Sequence, residues 1–385
     1  MAPRLSALIL AAGFSSRMGE LKALLPLGGG TMLAQAVSLF RDCGIGDIVV
    51  VTGHRAAEIG AVATAAGARL AHNPRYAAGM YGSIRAGAGL LADRCDGFFL
   101  LPVDIPLVRR GTVRLLVRSF AAAPALLCSP VFAGRSGHPP LLHADLIPAI
   151  LAEEQCEGGL RALLAGVEAT HPDRVREVPV ADAHIHIDLD TPDDYLDGCL
   201  RFERRGIPSM AECQAILEHL HPMPAKGLAH GRAVAEVAAA LAGAVNRHGG
   251  LSLDLELCRV GGWLHDIAKG QPRHEAEGER WLNELGFARV GAIVGAHRDL
   301  PWTAGMPVGE REIVHLADKL VRGSRLVTVE TRFVEKLELF RDDPEAVRAI
   351  ERRYRQAMQL AVAVETAMGQ PLATIAGMAA GTCSA

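Results

Sequence analysis

Along the first half of the chain, short aliphatic or β-branched runs alternate with stretches of helical period. The runs span 5–12, 47–52, 69–72, 97–102, 125–131 and 184–188, and the helical stretches between them include 31–43, 56–66 and 80–91. Such alternation predicts an α/β fold, a mostly parallel sheet with helices on both faces. Ligands of such sheets gather beyond the carboxyl ends of the strands. After residue 200 the strand pattern stops, and apolar positions recur at helical spacing over 210–219, 228–247, 253–268, 275–285, 310–320 and 344–368. A second, all-α domain is expected there. The boundaries read as a nucleotide-type domain over 1–198, a charged connector over 199–209 containing Gly206 and Pro208, a helical domain over 210–370, and a flexible tail of small residues over 371–385.

Composition narrows the function classes. With 385 residues, half of them hydrophobic and 22% charged, the chain can bury two cores, which excludes a disordered protein. A net charge of −3 gives no global field for nucleic acid or an anionic membrane, so the expected partners are small molecules. The eight cysteines, at 43, 95, 128, 156, 199, 213, 258 and 383, contain no Cys-x-x-Cys pair. That argues against a zinc ribbon or a disulfide framework and fits reduced thiols in a cytoplasmic protein. The run at 5–12 follows Arg4 like the apolar part of a signal peptide, but it is short and leads into a loop rather than a cleavage site. No stretch approaches the roughly 18 uninterrupted apolar residues of a membrane-spanning helix.

The first run opens directly into LAAGFSSRMGELKALLP at 10–26. Gly13 and its small neighbours let backbone amides approach a triphosphate, and Arg17 and Lys22 offer cations to its oxygens. The loop lacks the Gly-Lys-Ser/Thr ending of the Walker type and the Gly-x-Gly-x-x-Gly of the dinucleotide type. Further words follow in order: GMYGSIRAG at 79–87, PVDIPLV at 102–108, GRSGHPPLL at 134–142, EGGLRALL at 157–164 and DLDTPDDYL at 188–196.

Together these words resemble the MobA/MocA-like nucleotidyltransferases, which attach a nucleoside monophosphate to molybdopterin. The resemblance covers roughly the first 198 residues. It implies transfer from a nucleoside triphosphate with release of pyrophosphate, dependent on Mg²⁺. Ala12 stands where the guanylyl branch has a second glycine, so the resemblance points to CTP. It places the nucleotide against Leu10, Ala11, Ala12, Gly13, Arg17, Lys22, Gly53, Gly79, Ser83 and Asp104, with Arg17, Lys22 and Asp104 catalytic. Ser83 and Arg85 would contact base or ribose. Asp104, just past an apolar strand, would hold Mg²⁺ together with a second acid before Thr-Pro, either Asp190 or its alternative Asp188. Asp190 also reads as a simple N-cap of the helix opening at Pro192. His138 falls in the acceptor-binding word, although a lone loop histidine is also an ordinary surface residue. The partners implied are CTP or another nucleoside triphosphate, molybdopterin, and a molybdoenzyme that receives the product. A sugar or alditol phosphate acceptor is an alternative within the fold. A carrier or sensor of the cofactor nucleotide, with a degenerate second domain, is the non-enzymatic alternative.

The helical half carries GLAHGRAVAEVA at 227–238, GGWLHDIAKG at 261–270, HEAEG at 274–278, GAHRD at 295–299 and HLADKL at 315–320. This order resembles the HD phosphohydrolases. The resemblance implies metal ligation by His230, His265, Asp266, His274, His297 and Asp318, with His265 and Asp266 catalytic. Imidazole and carboxylate ligands suit one or two divalent ions such as Mn²⁺, Fe²⁺, Zn²⁺ or Mg²⁺. Crossing helices can each deliver one inward ligand, and two ions about 3.5–4 Å apart could share Asp266. Lys269 reads either as a general acid or as a complement to a helix dipole. His315 shares a face with Asp318 but is not assigned as a ligand. The phosphoester hydrolysed is not specified by these words.

Overall fold

The computed structural model describes residues 2–152 and 157–375, which separate into two compact units at Arg205–Gly206. The tail expected from 371 is ordered as far as Ile375, which is buried; the rest of it, with Cys156 and Cys383, lies outside the described residues.

The first unit holds strands β1 (Leu5–Ala11), β4 (Asp47–Thr52), β5 (Arg69–His72), β6 (Gly97–Pro102), β7 (Leu127–Phe132), β8 (Arg135–Ser136), β9 (Leu141–His143) and β10 (Val175–Pro179) in one sheet. A small hairpin, β2 (Pro26–Leu27) with β3 (Gly30–Thr31), stands apart. The order is β10-β7-β9-β6-β1-β4-β5, with β8 pairing β7. β1 runs parallel to β4 and β6, while β9 is antiparallel to both β6 and β7. Period-two alternation sorts the side chains: Ala7, Ile9 and Ala11 enter one apolar cluster, Leu8 and Leu10 the other. Both faces are therefore covered, which explains why β1, β4 and β6 read as continuous apolar runs. Helices α1 (Met32–Arg41), α2 (Ala56–Ala65) and α4 (Arg110–Ala122) supply buried residues to the first cluster. Helices α3 (Met80–Ala88) and α5 (Ile147–Ala152) supply the second, and α6 (Gly159–Thr170) packs partly buried residues such as Leu160 and Leu163 against it. α3 lies tight on the sheet because Gly87 has no side chain: a Cβ there would meet Leu8 Cδ1 at 2.1 Å.

Two expectations are corrected. The run 184–188 is not a strand; 183–186 forms a 3-10 turn capped by Asp182. The parallel edge strand is β10, whose alternating charged residues hid it from a search for apolar runs. The connector expected over 199–209 is helical through Arg204, as the end of α7 (Pro192–Arg204), and Ser209 already caps α8 (Met210–Ala215). Its charged residues sit on an exposed helix face, where Arg201 pairs with Asp197 one turn back.

The second unit continues with α9 (Ala225–Gly249), α10 (Leu255–Leu264), α11 (His274–Leu285), α12 (Ala288–Gly295), α13 (Glu310–Lys319), α14 (Val329–Leu339) and α15 (Pro344–Met368), plus a hairpin of β11 (Val321–Arg322) and β12 (Arg325–Leu326). α9 is long and apolar enough to cross a membrane by length and composition, but most of it is buried within this unit, against α10, α13 and α15. Glycines set its closest approach. A Cβ on Gly231 would lie 2.6 Å from Trp263 O, and one on Gly262 2.9 Å from Ala235 Cα. α10 ends at Leu264, and 265–270 leaves the helix in turns.

Candidate functional site

In the first unit, the loop after β1 and the loop after β6 are tied to each other and to the entry of α7. Val103 N donates to Leu10 O at 3.0 Å, and Leu189 N donates to Asp104 O at 2.8 Å. These bonds bring Asp104 and Asp190 to one cleft, which Gly13, Arg17 and Lys22 also line. Lys22 Nζ contacts Asp190 Oδ1 and lies 3.5 Å from Asp104 Oδ2; Arg17 Nη2 is 2.6 Å from Asp190 Oδ2. Lys22 is almost fully buried, and its backbone N–H donates to Ser15 Oγ at 3.1 Å. Burial, aided by Asp190, raises the Asp104 pKa against the pull of Lys22. Two converging carboxylates in a partly dry cleft form a hard oxygen donor set that fits Mg²⁺. Asp190 is not the helix cap: Thr191 holds that place, in a capping box with Asp194. Asp188 lines a neighbouring cavity instead.

Leu10, Ala11, Ala12, Gly79 and Ser83 also line the cleft. A Cβ on Gly13 would meet no protein atom, so packing does not demand glycine there; the open space is the cleft itself. Gly53 is not on the cleft wall. It packs beneath, where a Cβ would strike Tyr76 at 2.5 Å and Ala12 O at 2.8 Å. Arg85, grouped with Ser83 in the sequence, faces the neighbouring cavity and donates to Leu151 O at 3.1 Å. Two residues along a helix turn a side chain by about 200°, so Ser83 and Arg85 cannot share one wall. Ser83 is buried and accepts from Asn73 Nδ2 at 2.9 Å. That neighbouring cavity, about 1960 Å³, is lined by His138, Asp188, Arg75, Arg135 and Arg161 among others. Burial lowers the His138 pKa, and its Nδ1 has no hydrogen-bond partner. Sequence reasoning missed Tyr76, on the cleft, and Asn73, on the neighbouring cavity, although both follow β5 at its carboxyl end, where such sheets place ligands. Phe14, half exposed at the cleft, packs at a tilt against Tyr76, with ring centroids 5.1 Å apart.

In the second unit the six expected ligands converge. The ligand atoms of His230, His265 and Asp266 lie within 4.8 Å of one another, as do those of Asp266, His274 and His297. Asp266 belongs to both sets. Asp318 closes the ring, its Oδ1 3.2 Å from His230 Nε2 and 3.6 Å from His265 Nε2. Three imidazoles are oriented from behind: Nδ1 of His230, His265 and His297 faces the carbonyls of Gly323, Gly262 and Val294 at 2.9, 2.7 and 2.6 Å. Each thus points Nε2 inward, the arrangement metal-binding histidines use. His265 Nε2 is buried without a hydrogen bond, which in a stable fold signals a missing partner. Burial, then the charge of His265, pushes the His297 pKa down to about 4, so it is a neutral imidazole, the form a metal takes. The residues therefore fit one or two divalent cations. His315 is buried but belongs to neither set. Lys269 Nζ lies 2.5 Å from Asp266 Oδ2, which ties it to the site rather than to a helix end.

Comparison with known proteins agrees with both halves. Residues 7–175 match the MobA-like NTP transferase domain, and 227–323 match the HD domain. A molybdenum cofactor cytidylyltransferase of Escherichia coli (strain K12) is 30% identical over 197 residues, covering 51% of this chain and 95% of that protein. The chain belongs to the MobA-like NTP transferase family. It adds an HD domain to the nucleotidyltransferase fold of that family. A nicotine blue oxidoreductase of Paenarthrobacter nicotinovorans is 33% identical over 169 residues, 42% of this chain and 82% of that one. The solved structure of Rv0371c from Mycobacterium tuberculosis H37Rv aligns with TM-score 0.45 and 26% identity, over 52% of this chain and all of the other.

Proposed function

We propose that the first unit transfers CMP from CTP to the phosphate of molybdopterin, releasing pyrophosphate, and that the second is a metal-dependent phosphohydrolase. The observation that carries the first reading is the meeting of Asp104, Asp190, Lys22 and Arg17 in one cleft beside the Gly13 loop. Asp104 and Asp190 would hold Mg²⁺, which neutralises charge on the phosphate oxygens. Lys22 and Arg17, paired with Asp190 in the structure, would turn to the triphosphate. An oxygen of the acceptor phosphate bonds to the α-phosphorus, and the bond to pyrophosphate breaks with its electron pair leaving on pyrophosphate. Positioning and charge neutralisation account for most of such a rate. The arginine-rich cavity with His138 suits a phosphorylated acceptor. Ala12 and the Escherichia coli relative favour CTP over GTP.

The test is pyrophosphate release by the purified full chain with Mg²⁺, molybdopterin and either CTP or GTP, with sugar and alditol phosphates as competing acceptors. Turnover with CTP and molybdopterin alone supports the reading. Silence with molybdopterin and turnover with another acceptor would replace it.

A further inference from the structure

The second unit's cavity, about 630 Å³, is lined by Asp266, His274, His297 and Asp318 and also by two cations from outside the HD words, Arg332 and Lys336. Arg332 and Lys336 sit one turn apart on α14, an i, i+4 pair on one face, and both line this cavity. The local carboxylates do not account for them. Asp266 is already matched by Lys269 at 2.5 Å, and Asp318 by Lys319 at 2.7 Å. Arg332 Nη2 reaches Asp318 Oδ1 only at 3.9 Å, and its Nε is buried with no hydrogen-bond partner. Among the described residues no carboxylate is paired with Lys336, which lies 5.8 Å from the Phe333 ring. A half-buried lysine with no carboxylate partner, beside an arginine that shares Asp318 with Lys319 and keeps a buried Nε unbonded, leaves positive charge for an anionic ligand to match.

We infer that this site takes a phosphoanhydride: one phosphoryl group on the metal-ligand side, and the next linked phosphate held by Arg332 and Lys336. The inference rests on the phosphohydrolase reading and names its substrate class. Water adds its oxygen to the first phosphorus and the bridging P–O bond breaks. The electron pair leaves on the departing phosphate, facing Arg332 and Lys336, and the water's protons pass to phosphate oxygen and solvent. A phosphate monoester would leave the α14 cations unmatched. Pyrophosphate, the product class of the proposed transfer reaction, has the required chemistry, as do nucleoside di- and triphosphates.

The experiment uses the full chain loaded with Mn²⁺, with inorganic phosphate release measured from pyrophosphate and ADP against p-nitrophenyl phosphate and AMP. Asp266→Asn identifies the release that belongs to this site. Wild type is expected to prefer the anhydrides, and Lys336→Gln and Arg332→Gln are each expected to reduce the anhydride-to-monoester ratio of kcat/KM by about 10-fold or more, the usual worth of a charge-assisted bond. An unchanged ratio in both variants, or monoesters cleaved as well as anhydrides, overturns the inference while leaving the hydrolase reading in place. If no substrate is cleaved, the hydrolase reading falls. Binding of methylenediphosphonate by calorimetry then decides: loss of about 10-fold in Lys336→Gln keeps the anion site, and equal binding removes it.

Discussion

Lys22 Nζ rests against Asp190 Oδ1 across 168 positions of sequence, with Asp104 Oδ2 3.5 Å away on its other side. The ammonium thus bridges the two carboxylates that the proposed reaction assigns to Mg²⁺.

The arrangement predicts that Asp104→Asn and Asp190→Asn each lower the rate of pyrophosphate release by about 100-fold or more, since each removes a hard ligand and part of the charge that organises the phosphates. Asp104, whose charge burial disfavours, should lose little melting temperature as Asn, whereas Asp190→Asn leaves the buried Lys22 short of its partner and should lower it. Steady-state kinetics beside calorimetry checks both. Full activity in Asp190→Asn would hand the second metal position to Asp188.

A second expectation concerns metal. The Nε2 atoms of four histidines face Asp266 and Asp318 at one point of the second unit, and His265 Nε2 lacks a hydrogen bond. Adding Mn²⁺ or Zn²⁺ to chelator-treated protein should raise its melting temperature, because a ligand of the native state stabilises by mass action. His265→Ala should abolish that rise. Elemental analysis of the purified protein would show which ion it carries.

Close packing of α9 on α10 is a third. Gly262→Ala must push a methyl to within 2.9 Å of Ala235 backbone, where nothing can yield without moving the helix. Overpacking of this kind costs about 1–3 kcal/mol. Because His265 follows three residues later, the same change should weaken metal uptake. Thermal melts with and without Mn²⁺ would register both effects.

Acid sensitivity follows from Asp182. Burial alone would raise its pKa, but Arg109, with Nη1 2.8 Å away, and the neighbouring His184 hold it down to about 2. Its carboxylate also accepts from Arg109 N and Thr112 Oγ1. A depressed carboxyl pKa contributes stability that is present above its unfolded value of 3.8 and is lost as pH falls towards 2. The contribution above pH 4 is of the order of 2 kcal/mol. Asp182→Asn should therefore destabilise the first unit at pH 7 and flatten its stability curve between pH 4 and 2, as denaturant titrations across that window would reveal.

Much of this was legible beforehand, for identifiable reasons. β1, β4, β5 and β6 are buried on both faces or flanked by turns, so apolar runs marked them nearly to the residue. β10 escaped because its outer residues are charged, and 184–188 was misplaced because a buried turn is as apolar as a strand. α12 and α14 were not anticipated. α12 is short, and α14 is charged around most of its circumference, with Arg332 and Lys336 on the cavity and only Val329 and Phe333 buried.

Residue order alone was enough to mark the glycine loop at 10–26, the six metal-ligand candidates and the change from α/β to all-α, because each depends on local period or on side-chain chemistry. Only the tertiary structure could place Asp190 in the Asp104 cleft and Asp188 on the neighbouring cavity, part Ser83 from Arg85, set Gly53 beneath the cleft and bring Arg332 and Lys336 to the HD cavity. Those outcomes depend on which way a side chain faces and on which distant loops hydrogen-bond together. Neither is carried by neighbours in sequence.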